Sequence, residues 1–176
     1  GPFLSRHEVS RFAVFGQLDT ALNETTTLTT GLRYERQEAR YDDSEGLAFS
    51  PSEGLIGWRV TLDRQLNRNL MVYAGVARGY KAGGFNTDGT LDADLRQYDA
   101  ETLLNYELGL KGHFLENRLS ASVSVFYMQR DDMQIASSIT RTRPDGSSEF
   151  IEYVGNAAEG VNAGMEAELF WRPNER

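Results

Sequence analysis

Apolar residues occupy every second position in several long stretches of the chain. From Leu28 to Tyr34 the even positions carry leucine, threonine and tyrosine, while the odd positions up to Gln37 carry threonine, glycine, arginine, glutamate and glutamine. A period of two predicts a β-strand with one apolar and one polar face. The same alternation recurs in windows that begin at Ile56, Glu101, Leu119 and Val161. Helical spacing fits none of these windows.

Two further stretches alternate less cleanly. They run from Arg11 to Ala21 and from Leu70 to Tyr80, and in the second one Tyr73 interrupts the polar side. Together the windows predict an all-β fold, an antiparallel meander of about seven strands, with eight as the alternative count. Residues 1–176 are interpreted as one unit, since the length does not demand two domains.

The connections between the predicted strands alternate in length. Short ones of about four or five residues alternate with long ones of roughly a dozen or more, as in outer-membrane barrels, which have short periplasmic turns and long extracellular loops. The short connections lie at Asn23, Asn67 and Glu116, and the long ones at Asp43, Gly89 and Arg141. A soluble meander has no reason to sort its loops in this way.

Aromatic residues mark the ends of the predicted apolar faces. Tyr106 and Phe114 lie eight residues apart on one strand, which corresponds to about 19 Å along the axis of a barrel whose strands tilt by ~45°, comparable to the ~25 Å apolar band. Such residues form interfacial girdles in membrane barrels. The predicted anchors are Tyr34, Tyr80, Tyr106, Phe114, Tyr127 and Trp171. In the alternative interpretation these aromatics pack the core of a sandwich.

Composition narrows the classes of protein further. The net charge of −8 and the pI of about 4.8 argue against a nucleic-acid partner. The absence of cysteine excludes disulfides and thiolate metal sites. The longest apolar run, Leu70 to Ala74, is far below the ~20 residues of a membrane-spanning helix. A mean hydropathy of −0.48 does not exclude a membrane barrel, because its strands carry apolar residues at alternate positions only.

Three segments resemble the β-barrel of TonB-dependent outer-membrane receptors of the siderophore-receptor type. The first is FAVFGQLDTALNETTTLTTGLRYER, from Phe12. The second is VYAGVARGYKAGGFN, from Val72, followed from Glu101 by ETLLNYELGLKGHFLENRLSASVSVFYMQRDDMQI. The third is NAAEGVNAGMEAELFWRP, from Asn156. Each phrase is weak alone, but their order and spacing across nearly the whole chain make the resemblance specific.

The resemblance implies a transporter rather than an enzyme, in the outer membrane of a Gram-negative bacterium. It implies part of a 22-stranded barrel that takes up a scarce solute, most often a ferric siderophore, with lipid and lipopolysaccharide around the wall. The energy-coupling protein TonB would engage amino-terminal parts. No plug, TonB-binding segment, signal peptide or closing strand is visible in residues 1–176, so we expect a partial C-terminal barrel wall.

Candidate chemistry is sparse. His7 and His113 lack paired-ligand spacing, G-x-S-x-G is absent, and we therefore predict no metal site, no catalytic residue and no cofactor. Loops on a rigid wall are where binding usually occurs. The candidates for contact with an anionic solute are Arg78, Lys81, Asn86, Arg141 and Arg143. The alternative is that these charges meet lipopolysaccharide phosphates or water.

The glycines of the segment RGYKAGGF have an architectural interpretation. Gly83 and Gly84 are expected to form a hinge into a surface loop, because glycine accepts a positive φ at little cost.

Two other classes of protein use the same alternation. A small closed outer-membrane barrel, acting as an adhesin or an anchor, would need an even strand count. A soluble β-sandwich or lipocalin-like binder would bury its apolar faces against each other or against a ligand.

Overall fold

The computed structural model describes residues 3–156 and 159–173. Seven long strands form the main sheet: β1 (Ser5–Asn23), β2 (Thr26–Asp43), β4 (Ser52–Asn67), β5 (Leu70–Lys81), β8 (Glu101–Phe114), β9 (Leu119–Asp131) and β12 (Glu159–Trp171). The short elements are β3 (Ala48–Phe49), β6 (Gly84–Phe85), β7 (Gln97–Tyr98), β10 (Gln134–Thr142), β11 (Ser148–Asn156) and a 3₁₀ turn (Ala93–Leu95).

The seven long strands pair antiparallel, each with the next long strand along the chain, in the order β1-β2-β4-β5-β8-β9-β12. The predicted antiparallel meander of seven strands is confirmed. The short strand β3 adds an eighth, paired with the end of β2. Within the described residues β1 and β12 form the two edges, and the sheet does not close on itself.

The strand register brings the apolar positions into rows across the sheet. One row runs through Thr20, Leu28, Leu62, Ala74, Leu108, Val125 and Met165. All its members except the half-buried Leu28 are exposed in the middle of the wall, Leu108 at 52% and Met165 at 69%. In the described part of the chain no second layer covers this apolar face, so the packing of a soluble sandwich is not observed.

The turns and loops are sorted to opposite ends of the sheet. Tight turns at residues 24–25, 68–69 and 115–118 lie at one end, and the connections β2 to β4, β5 to β8 and β9 to β12 lie at the other. The predicted alternation of short and long connections is confirmed.

The long connections contain regular structure that the sequence prediction missed. Strands β10 and β11 form a hairpin between β9 and β12, and β6 pairs with β7 between β5 and β8. The hairpin turns at Gly146, whose φ is +84° and whose N–H donates to Arg143 O. The dipeptide Asp145-Gly146 is a hairpin signal that could have revealed it. Polar residues on both faces of β10 had hidden the alternation.

The few fully buried apolar side chains lie outside the middle of the wall. Ala39, Tyr41 and Phe85 form a cluster, with Phe49 packed against it, at the loop end of the sheet. No helix in the described residues is long and apolar enough to cross a membrane.

Candidate ligand-facing surface

The polar face of the sheet carries an open groove of about 850 Å³. Its floor includes one register row of Gln17, Gly31, Arg59, Ala77 and Asn105. Small residues at positions 31 and 77 leave the space, and long polar side chains border it. The groove therefore combines an apolar floor with guanidinium and amide groups.

A hydrogen-bonded network organises the groove around Glu35. Arg33 Nη2 donates to Glu35 Oε2 at 2.6 Å, and Arg11 Nε lies 3.9 Å from Glu35 Oε1. The Tyr80 hydroxyl accepts from Arg33 Nε at 3.0 Å and lies 3.1 Å from Glu35 Oε2, to which it donates. The Arg33 guanidinium also lies 5.8 Å from the centre of the Phe15 ring. Glu35 is buried, and the guanidiniums of Arg33 and Arg11 balance its negative charge.

Arg59 of the groove forms no ion pair with a carboxylate among the described residues, and Arg78 in the same lining forms none either. Arg59 is exposed, and it donates to the side-chain oxygen of Gln17 on β1. Because this hydrogen-bond partner is neutral, the guanidinium can still bond to an anion. The sequence pattern had placed Arg33 and Arg59 on the polar face without naming them as candidates. The available signal was that both arginines occupy polar positions in the alternating pattern of their strands.

The structure corrects the expected position of Tyr80. Its hydroxyl bonds to Arg33 and Glu35 on the polar face, so the side chain is not a lipid-facing anchor. The pairing of β4 with β5 ends at Trp58 and Arg78, while β5 stays paired with β8 as far as Lys81. The ring then crosses β4 above Gly57, where a Cβ atom would lie 3.2 Å from Tyr80 Cε1.

The other five predicted anchors lie in register on the apolar face. Tyr34 is opposite Ile56, Tyr106 is opposite Tyr127, and both Phe114 and Trp171 are opposite Leu119. All five are exposed. Their interfacial role stays a prediction.

Arg78 does not lie in a surface loop. It is within β5, opposite Trp58 and Leu104 of the apolar face, and it donates to the carbonyl of Ile56. Lys81 is the last residue of β5, and it is exposed. The five candidate solute ligands are therefore not assembled into one cluster.

The segment of residues 82–100 between β5 and β8, here called the strap, contains Asn86. Asn86 is 8% exposed, and its side-chain amide pairs with the backbone of Val154 through two hydrogen bonds of 2.8 Å. The same amide donates to Leu95 O at 2.7 Å. Because these bonds occupy its amide, Asn86 acts in the architecture of the loops and is a poor candidate for solute contact.

The two arginines of the hairpin are also engaged. Arg141 donates to Thr90 O at 2.6 Å and lies 3.4 Å from Asp92, both in the strap. Arg143 bonds to Glu149 across the hairpin at 3.0 Å.

The Thr90 hydroxyl and its backbone N–H both donate to Asp88, and these bonds hold the pKa of Asp88 below its usual range.

Arg96 of the strap was not identified from the sequence. It is 2% exposed, and its Nη2 donates to Asp43 Oδ2 at 2.5 Å and to the Tyr41 hydroxyl at 2.7 Å. Asp43 is 53 residues away along the chain, so no local pattern could indicate this pair.

The predicted hinge at Gly83 and Gly84 has a different physical cause. Neither residue has a positive φ. A Cβ atom at Gly83 would lie 2.6 Å from Tyr98 O, and one at Gly84 would meet the Tyr98 ring. Close approach of β7 therefore demands glycine here.

The geometry and the comparisons agree on the family. The model of the "TonB dependent receptor-like, beta-barrel" family matches residues 2–173. The chain belongs to this family. The predicted resemblance is thereby confirmed.

Receptors of known cargo are among the relatives of this TonB-dependent receptor chain. Over 101 residues it is 34% identical to the pesticin receptor of Yersinia pestis. This match covers 57% of this chain and 13% of that receptor. Over 87 residues it is 33% identical to the ferric-pyoverdine 358 receptor of Pseudomonas putida, covering 48% of this chain and 10% of the receptor.

Solved structures of receptors share the fold. The ferric yersiniabactin uptake receptor FyuA of Yersinia pestis superposes with a TM-score of 0.76 at 21% identity, over 98% of this chain and 26% of FyuA. The ferripyoverdine receptor of the Pseudomonas aeruginosa outer membrane gives 0.68 at 18% identity, over 96% of this chain and 21% of that receptor. This TonB-dependent receptor chain therefore spans about a quarter of the solved receptors.

Metal ligation by the protein itself has little support in the described residues. They contain no group of three or more histidine, cysteine, aspartate or glutamate side chains that could hold a metal ion. His7 packs edge-on against Phe85 with ring centres 5.5 Å apart, and His113 Nδ1 lies 3.0 Å from Ser120 Oγ.

Proposed function

We propose that residues 1–176 form part of the barrel wall of an outer-membrane receptor that takes up a scarce solute, a ferric siderophore or a similar iron complex. The uncovered apolar face across seven strands is the observation that carries the proposal. A face of this kind is stable where lipid replaces water, and it is a liability for a soluble protein. The ferric-pyoverdine named in the related receptor of Pseudomonas putida supports iron-complex uptake.

The proposal places the chain in the outer membrane of a Gram-negative bacterium. The wall would face lipid and, on the outer leaflet, lipopolysaccharide. The strand ends with long connections would face the exterior, and the tight turns the periplasm. Energy coupling through TonB would act through parts of the receptor other than this wall, which would belong to a barrel of 22 strands.

The groove on the polar face is the proposed contribution of this segment to cargo binding. An anionic iron complex would be attracted by Arg59, whose charge has no described carboxylate partner, and by the partly exposed Arg33. Phe15, 75% exposed beside Arg33, offers an apolar contact. Arg59 replaces the loop arginines as the leading candidate, because Arg141 and Arg143 are paired with carboxylates whereas Arg59 is not.

The uptake proposal is tested in cells grown under iron limitation. Deleting the receptor gene should abolish growth on at least one ferric siderophore of a panel that includes ferric yersiniabactin and ferripyoverdine. Unchanged growth on the whole panel would refute iron-complex uptake.

The groove proposal is tested on the complete receptor with the chelate that the panel identifies. Arg59→Gln should weaken equilibrium binding by about tenfold or more, since a charge-assisted hydrogen bond contributes ~1.5–3 kcal/mol. The matched control is Arg36→Gln. Arg36 is exposed on β2, on the opposite face from the groove, and is paired with Glu38. Equal affinities of Arg59→Gln and the wild type would remove the groove from the cargo path.

A further inference from the structure

The strap is held between two parts of the molecule. On one side lie the loop ends of β1, β2 and β3, and on the other lies the β10–β11 hairpin. The contacts on the two sides differ in chemistry, and together they determine how the loop region can move.

On the wall side the strap is attached by one buried ion pair and by aromatic packing. The side chains of Arg96 and Asp43 are 2% and 0% exposed. Phe85 packs at 5.6 Å from Tyr41 and at 5.9 Å from Phe49, measured between ring centres. A buried ion pair is costly to break, because each separated charge would stay desolvated.

A second wall contact holds the start of the strap. Gln37 Nε2 donates to Gly83 O at 3.1 Å, and the N–H of Gly83 donates to Glu53 Oε1 at 3.0 Å. Gln37 Nε2 also donates to Glu53 Oε1 at 3.0 Å. The strap backbone is therefore bonded to side chains of both β2 and β4.

On the hairpin side the strap is attached by Arg141, which bonds to Thr90 O and lies near Asp92, and by three side-chain amides, here called the amide clips. They are Asn86, Gln134 and Asn156. Asn86 makes the paired contact with Val154 described above. Asn156 Oδ1 accepts from Asp99 N–H at 2.8 Å, and its Nδ2 donates to Asp99 O at 3.1 Å. Gln134 Nε2 donates to Ala82 O at 2.9 Å and to Asp99 O at 3.0 Å.

Each amide clip bonds to backbone groups, and Asn86 and Asn156 pair with them as a neighbouring strand would. Two of the clips bond both the N–H and the C=O of one residue. Opening one clip leaves a polar side chain and backbone groups of the other segment without their hydrogen-bond partners. Leaving such groups unpaired costs more than a single hydrogen bond contributes. The strap and the hairpin consequently lose contacts together when they separate.

We propose that the strap and the β10–β11 hairpin form one cooperative unit, joined by the amide clips and attached to the wall by Arg96. The unit opens as a whole, so a molecule bound to either segment acts on both. This coupling goes beyond the proposed uptake and holds whatever the solute is.

The test is hydrogen exchange measured by mass spectrometry on the complete receptor in detergent micelles. Arg96→Met removes the buried ion pair to the wall and leaves the Gln37, Glu53 and aromatic contacts in place, and no described hydrogen bond of Arg96 reaches the hairpin. If the unit is cooperative, exchange should accelerate by about tenfold or more, and by a similar factor, in residues 84–98 and 134–156. Acceleration confined to residues 84–98 would overturn the proposal.

A second pair of variants addresses the clips. Asn86→Leu removes the amide at nearly constant volume and should accelerate exchange in both segments. Arg143→Ala is the matched control, because its exposed ion pair with Glu149 makes no contact with the strap and contributes little to stability, so exchange should stay unchanged in both segments. Protection that is retained in the hairpin of Asn86→Leu would contradict the role of the clip.

The wild-type protein provides a readout that does not depend on the folding of a variant. Amides of the two segments should share one opening free energy and one dependence on low concentrations of denaturant. Two distinct opening free energies would overturn the proposal.

Discussion

Val123→Arg tests the outward direction of the apolar face most directly. Val123 lies in β9 opposite Leu110 and Ala167, and it is four residues from both Leu119 and Tyr127. At ~3.4 Å per residue and a tilt of ~45°, each of these ends is about 10 Å away along the barrel axis. Val123 is therefore close to the middle of the ~25 Å apolar band.

The expected cost follows from this depth. An arginine at the bilayer midplane on the lipid face of a barrel costs about 2–4 kcal/mol. Since every 1.4 kcal/mol is a factor of ten, the folding equilibrium constant should fall by a factor of about 30 to 700. At an interface the cost would be ~0–1 kcal/mol, so the measurement also reports the depth of this position.

The assay is reversible unfolding of the complete receptor in phospholipid bilayers by guanidinium chloride. Trp58 and Trp171 lie on the apolar face by register, so their fluorescence should change as this face leaves the lipid. The matched control is Ser124→Arg, at the next residue but on the polar face, opposite Glu166. Its effect should stay within about 0.5 kcal/mol.

Two results would refute the assignment of the faces. An unchanged free energy of unfolding for Val123→Arg would show that this position does not face lipid. A larger loss for Ser124→Arg than for Val123→Arg would reverse the two faces.

Two further predictions concern the groove and the strap. Gly57→Val should displace the Tyr80 ring and break its bonds to Arg33 and Glu35, because a side chain at position 57 meets the ring. The expected loss of stability is about 1–3 kcal/mol, measured by unfolding in bilayers. A crystal structure of the variant with the Tyr80 ring in place would contradict this prediction. The pKa of Asp88 is lowered in the folded protein, so its contribution to strap stability is present above the unfolded pKa and is lost as pH falls through the folded pKa, below 3.8. Amide exchange at Thr90, corrected for the intrinsic rate, should therefore accelerate in that acid range in the wild type but not in Asp88→Asn, and equal pH profiles of the two proteins would refute this.

The loop region shows why buried polar contacts escape sequence analysis. Arg96 and Asn86 look like ordinary residues of a polar loop, and their types are compatible with solute binding. Their partners lie 53 and 68 residues away along the chain, on β2 and β11. Only the fold brings these groups together, and their burial converts them from candidate ligands into attachments between segments.

The amino-acid sequence by itself determined the number of long strands, their two faces, the sorting of the connections and the family. The strands and their faces follow from local alternation, because residues two positions apart share a face of a strand whatever the rest of the chain does. The sorting of the connections follows from their lengths, and the family from the order of three phrases along the chain. The tertiary structure decided the rest: Tyr80 lies across Gly57 toward β2, Arg59 rather than the loop arginines is free in the groove, and the strap is bonded to both wall and hairpin. Each of these outcomes depends on which distant groups meet, and on the cost of leaving a buried polar group without a partner.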